Sequence, residues 1–195
     1  MESSELLNLL KETGAMLEGH FLLTSGRHSG VYIEKFRILE NPRALDDVCW
    51  EMAEIVKNDN IDLVLGAAVG GILISGGVGR HLRVKHIFCE RVNGTMKLRR
   101  GFSIEKGNRI VIVEDIITTG GSVMELIKLA EDQGAKIVHV VNLVDRSTGD
   151  VDIKVPFTAI LTFPSKSWEP ENCPLCKQGM AITQRGRTGK KMETV

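Results

Sequence analysis

The sequence predicts an α/β fold in which a mostly parallel sheet is flanked by helices, with a small N-terminal hood ahead of it. Three observations carry this. Short, nearly continuous apolar runs at 61–65, 86–89, 109–113, 137–144 and 157–163 have the character of strands buried on both faces. Stretches with apolar residues at helical spacing lie between several of these runs, so strands and helices alternate. Glycine-rich segments follow the strands near 65 and 117, at the strand ends where such sheets bind ligands.

The elements follow in order. Leu6, Leu7 and Leu10 share a face of a first helix, which Ser3 or Ser4 can cap and Gly14 can end. Residues 21–24 and 31–37 read as short strands of the hood, which spans about residues 1–40. Asn41-Pro42 opens a helix to about Lys57, with Asn as cap and Pro at the first helical position. Residues 66–71 form a loop, and a helix continues to about Leu82. Gly76, Gly77 and Gly79 in it suit tight helix packing. A charged loop runs from 90 towards Gly107. After the strand at 109–113 come a loop at 118–122 and a helix over 123–133, stopped by Gly134. Residues 164–195 show no periodicity and read as an irregular tail.

The 195 residues suit a single domain over 1–195. Lys plus Arg and Asp plus Glu both number 25, so the formal net charge is zero. That balance gives no basic face for nucleic acid, and no nucleic-acid partner is expected. No apolar run is long enough to span a bilayer, and the first residues, Met1-Glu2-Ser3-Ser4-Glu5, lack a basic signal-peptide start. A cytoplasmic protein without a membrane partner is expected, with Cys49, Cys89, Cys173 and Cys176 as free thiols.

The most informative stretch is Val111-Ile112-Val113-Glu114-Asp115-Ile116-Ile117-Thr118-Thr119-Gly120-Gly121-Ser122. An apolar strand delivers two carboxylates to its carboxyl end, and a loop rich in hydroxyls and glycine leads into a helix. The start of that helix offers backbone N–H groups and a positive dipole end to an anion. Gly120 and Gly121 let the backbone approach a phosphate, and Thr118, Thr119 and Ser122 add donors. The carboxylates can accept hydrogen bonds from a sugar diol, so one site would hold a phosphate and a ribose. No Lys follows the glycines, as a Walker loop requires, and the G-x-G-x-x-G spacing of a dinucleotide site is missing.

Residues 114–122 resemble the ribose-phosphate loop of the type I phosphoribosyltransferases. Within that family the resemblance to the orotate-using branch covers about residues 19–146. Phe21-Leu22-Leu23-Thr24-Ser25-Gly26-Arg27-His28-Ser29 is similar to the opening segment of that branch, and Val144-Asp145-Arg146 to the place of its orotate-contacting arginine. The resemblance implies the type I fold and transfer of ribose 5-phosphate from 5-phosphoribosyl 1-pyrophosphate (PRPP) to orotate, with pyrophosphate leaving. It places PRPP on Glu114, Asp115, Ile116, Ile117, Thr118, Thr119, Gly120, Gly121, Ser122 and Arg91, and orotate on Thr118 and Arg146. Glu114, Asp115 and Lys97 become the catalytic candidates. Mg²⁺ would bind mainly through PRPP and pyrophosphate, so no protein metal ligand is assigned.

By the same resemblance Gly66-Ala67-Ala68-Val69-Gly70-Gly71 is the pyrophosphate loop, although small residues there also serve close packing. Residues 90–101, with Arg91, Lys97, Arg99 and Arg100, would be a flexible lid that excludes water and reaches the neighbouring subunit of a homodimer. Thr24 stands where many relatives carry Lys. Cys173-Pro-Leu-Cys176 lacks a second ligand pair in the sequence, so it reads as a tail turn with two free thiols, or as half of a metal site shared across a dimer. The five histidines, His20, His28, His81, His86 and His139, are scattered, and none is assigned a catalytic role.

Overall fold

A computed structural model of the chain describes residues 3–23, 25–147, 151–163 and 166–185. The chain opens with α1 (Ser3–Glu12), β1 (Met16–Leu22), β2 (His28–Ile33) and a short α2 (Phe36–Leu39). It continues through α3 (Pro42–Val56), β3 (Leu63–Ala67), α4 (Gly70–Leu82), β4 (Lys85–Val92) and β5 (Thr95–Leu98). Then come β6 (Arg109–Ile117), α5 (Gly121–Asp132), β7 (Lys136–Asp145) and β8 (Phe157–Thr162), followed by β9 (Ser167–Trp168), α6 (Pro174–Lys177) and β10 (Thr183–Gln184).

The main sheet has the order β5-β4-β3-β6-β7-β8. Its neighbours are parallel except for the antiparallel pair β4–β5. Helices α1, α3 and α4 cover one face and α5 the other. Alternation along β6 feeds both cores: Val111 and Val113 join Met52 and Ile74, while Ile110 and Ile112 join Leu126 and Val140. Asn41 caps α3 as expected, its side-chain oxygen accepting the N–H groups of Arg43 and Ala44 at 3.1 and 3.2 Å. Helix α4 lies close on α3 because position 77 is glycine, where a Cβ would fall 2.4 Å from Cys49 Sγ. Among the described residues no helix is long and apolar enough to cross a membrane.

A second sheet, β10-β1-β2-β9, stands over the carboxyl edge of the first. Here the structure departs from the sequence pattern in four places. The first hood strand is Met16–Leu22 instead of 21–24. The second hood strand is His28–Ile33 instead of 31–37, because Phe36–Leu39 coils into α2 and buries Ile38 and Leu39. In β1 the pairing register shifts between Glu18 and Phe21, so His20 and Phe21 are both buried and the alternation is broken. The tail is not wholly irregular: β9 pairs antiparallel with β2 and β10 pairs parallel with β1, at opposite edges of this sheet.

The stretch at 90–101 also differs from an open loop. It is largely a hairpin, with β4 and β5 joined through Asn93 and Gly94, both at positive φ. That is the Asn-Gly turn whose twist matches paired strands.

Candidate active site

Strand β6 carries Glu114 and Asp115 to its carboxyl end, and both are buried, at 7% and 2% exposure. Asp115 faces α4. Its Oδ2 is 2.6 Å from Lys35 Nζ, and its Oδ1 accepts the N–H of Ile116 at 2.7 Å. Glu114 Oε1 accepts the N–H of Asp115 at 3.1 Å. Burial, and then the charge of Asp115 beside it, pushes the Glu114 carboxyl up to about 8. The two acids thus differ: one forms an ion pair with a lysine, while burial and that neighbour's charge favour the protonated form of the other.

The start of α4 closes against this pair. A Cβ at Gly70 would lie 1.7 Å from Asp115 Oδ2, so the backbone reaches Asp115 only because position 70 is glycine. The loop ahead of it is tied to β4 by the Ala68 N–H, which donates to Cys89 O at 2.8 Å. Residues 66–71 therefore combine close packing with a place at the site.

Gly120 begins α5 in the left-handed region at φ 77°, where a side chain would be strained and would also meet Val151. The first N–H groups of such a helix have no partner within the helix. Around them Glu114, Ile117, Thr118, Thr119, Gly121 and Ser122 line a cavity of about 60 Å³. Thr118 and Thr119 also border a wider cavity of about 800 Å³, whose walls include Arg27, Tyr32, Arg146 and Trp168. Arg146 directly follows β7, and its N–H donates to Ile117 O at 2.8 Å. Burial draws its guanidinium pKa down, opposed by Tyr32.

The arrangement matches a known family. The model of the phosphoribosyl transferase domain matches residues 37–174. The chain belongs to the phosphoribosyltransferase family. The orotate phosphoribosyltransferase of Thermotoga maritima is 45% identical over 183 residues, covering 94% of this chain and 98% of its own. That of Caldicellulosiruptor bescii is 42% identical over 190 residues, covering 97% and 100%. The crystal structure of orotate phosphoribosyltransferase from Aeropyrum pernix superposes with a TM-score of 0.69 at 27% identity, over 81% of this chain and 93% of that one.

In this phosphoribosyltransferase the expected residues fall into two groups. Glu114, residues 116–122 and Arg146 border the two cavities at the carboxyl edge of the main sheet, which share Thr118 and Thr119, while Asp115, next to Glu114 on β6, faces Lys35 and Gly70. The hairpin residues lie to one side. Arg91 is held by Glu125 of α5, at 2.8 and 3.2 Å, and by the carbonyl of Gly94 at 2.5 Å. Arg100 pairs with Glu90 at 2.9 Å, Arg99 is 3.9 Å from the same carboxylate, and Lys97 is exposed on β5. Thr24 lies outside the described residues.

Sequence reasoning missed Lys35, Tyr32 and Trp168. Nothing local marks Lys35, since its partner Asp115 is 80 positions away, and Trp168 sits in a tail without periodicity. Arg27 lay within a segment noted for its resemblance, yet no role was assigned to it.

The raised Glu114 carboxyl predicts a pH effect on stability. The folded chain binds this proton more tightly than the unfolded chain, so the stabilisation is complete below about 4.5 and is lost as pH rises through about 8. The slope contributed is at most roughly 1.4 kcal/mol per pH unit. Glu114→Gln should therefore melt above the wild type at pH 8.5 and close to it at pH 5. A melting difference that does not grow with pH would mean that Glu114 is ionised in the fold.

Proposed function

We propose that this phosphoribosyltransferase is an orotate phosphoribosyltransferase, converting PRPP and orotate to orotidine 5′-monophosphate and pyrophosphate in pyrimidine nucleotide synthesis. The observation that carries the reading is the junction at Thr118 and Thr119. On one side is a helix start suited to a phosphate; on the other is a cavity holding the Arg146 guanidinium. A guanidinium fork fits the carboxylate that distinguishes orotate from uracil. The two relatives described above carry the same activity in their names.

In this reading residues 118–122 hold the 5-phosphate of PRPP, and Glu114 and Asp115 hold the ribose hydroxyls. Protonated Glu114 can donate to a hydroxyl oxygen, and Asp115 can accept from its neighbour. A ring nitrogen of orotate attacks C1 as pyrophosphate leaves with the electron pair of the broken bond, and the proton of that nitrogen passes to the leaving pyrophosphate or to water. The positive charge that develops on the ribose is favoured by nearby carboxylate, and no covalent nucleophile is needed.

Three of the four acidic oxygens are already engaged, by Lys35, the Ile116 N–H and the Asp115 N–H. That donor set fits a Mg²⁺ held mainly by substrate oxygens and water, which would supply positive charge to the leaving pyrophosphate. Lys97, Arg99, Arg100 and Arg91 would serve as a hairpin lid over the pyrophosphate, shared between the subunits of a homodimer.

The test is pyrophosphate release from PRPP with orotate, uracil, hypoxanthine or adenine as acceptor. Orotate alone should support turnover. Equal turnover with uracil, or a purine as the preferred base, would overturn the assignment.

A further inference from the structure

Two histidines and two cysteines converge beside the second sheet, away from the reacting groups described above. His20 lies on β1 and His28 on β2, while Cys173 and Cys176 flank the start of α6. Their ligand atoms all lie within 4.8 Å of one another. His20 Nε2 is 3.0 Å from His28 Nδ1, 3.5 Å from Cys173 Sγ and 3.7 Å from Cys176 Sγ, and Cys176 Sγ is 3.3 Å from His28 Nδ1. His20, His28 and Cys173 are buried. The second ligand pair that the sequence seemed to lack is thus supplied by the fold, within one chain and from about 150 residues upstream.

Hydrogen bonding alone accounts poorly for this cluster. His20 Nδ1 is 2.8 Å from the carbonyl of Met180, which can only accept, so Nδ1 carries a proton. In the neutral ring Nε2 then has a single lone pair. Three atoms converge on that one lone pair. A charged imidazolium would instead have to be buried with no carboxylate against it among the contacts above.

We propose that His20, His28, Cys173 and Cys176 bind one Zn²⁺ per chain. Bond lengths of about 2.0–2.1 Å to nitrogen and 2.3 Å to sulfur put tetrahedral ligand atoms about 3.3–3.8 Å apart. The four separations given above, 3.0–3.7 Å, are already close to that, and all six lie within 4.8 Å. Two thiolates and two neutral imidazoles balance the metal charge, and the two thiol protons pass to solvent on binding. The Met180 carbonyl orients His20 as an outer-shell partner does in such centres.

The site would clasp the tail to the β1–β2 hairpin. Trp168 on β9 is five residues before Cys173, and it lines the wide cavity together with Lys166 and Ser167. Arg27, in the β1–β2 turn, donates to Ser167 Oγ at 2.9 Å and to Ser167 O at 2.7 Å. The metal therefore acts as a structural fastener for one wall of the proposed base pocket. Only its effect on orotate rests on the functional reading above; the metal site itself does not.

The test uses the full chain, purified under reductant with zinc in the growth medium. Elemental analysis should find about one zinc per chain. Cobalt added to metal-free protein should give the intense visible bands of a tetrahedral site and a thiolate charge-transfer band. The exposed thiol of Cys176 should react quickly without metal and be protected with it; Cys173, Cys49 and Cys89 are buried and react slowly, the last two also held protonated, at about 12 and about 11. Stripping the zinc should lower the melting midpoint by more than about 5 °C. Cys173→Ser with Cys176→Ser should abolish the cobalt spectrum, and His28→Asn should weaken it. Wild-type protein that binds neither metal would overturn the proposal. So would half a zinc per chain, or unchanged binding in a folded double cysteine variant. If that variant does not fold, the wild-type zinc count and cobalt titration decide the matter.

Discussion

Asp115→Asn should lower kcat/KM for the PRPP reaction about 10²–10³-fold while the fold survives, the usual scale for loss of one well-placed electrostatic contact. The amide keeps the shape of the carboxylate, and Lys35, one-third exposed, can turn to water once its partner is neutral. The melting midpoint should therefore change little. Gly70→Ala reaches the same carboxylate from the other side. A methyl group there would sit 1.7 Å from Asp115 Oδ2, and a short buried side chain can escape only by leaving its position. Its activity should fall as far as that of Asp115→Asn, and its stability should fall as well. Combining the two should cost little further activity, because both remove the same contact. Wild-type kinetics in folded Asp115→Asn would take Asp115 out of the reaction.

Arg146→Ala should weaken orotate binding by about 2–5 kcal/mol, the range for deleting one partner of a buried charge pair. That is roughly a 30- to several-thousand-fold loss of affinity. Binding of PRPP, whose proposed contacts lie on residues 114–122, should stay within about twofold. Arg146→Lys should fall between, since it keeps a charge but loses the planar fork. Calorimetry with each substrate separates the cases. Equal losses for both substrates, or none for orotate, would remove Arg146 from the base pocket.

Much of this was legible in the sequence because it was local. The strand, acid pair, hydroxyl loop and helix occupy one continuous stretch, 109–133, and the structure keeps their order. Asn41-Pro42 marked a helix start for the same reason. What escaped notice depends on distant partners. Lys35 gains meaning only beside Asp115, and the histidines of β1 and β2 only beside Cys173 and Cys176. One local signal was present as well: Asn93-Gly94 between alternating residues marks a hairpin, within a stretch whose cations otherwise read as a charged loop. The break in β1 had no local cue, because it comes from pairing and not from composition.

The second sheet has a consequence for the order of assembly. Synthesis delivers every strand of the main sheet by residue 162, but β1 and β2 wait for β9 and β10, made more than 130 residues later. Pairings that span so much chain close slowly, since the entropy of a long loop is lost before its contacts form. A nascent chain can therefore complete the carboxyl edge of its main sheet well before the wide cavity gains the wall that Trp168 supplies, and the N-terminal strands spend that interval with open edges.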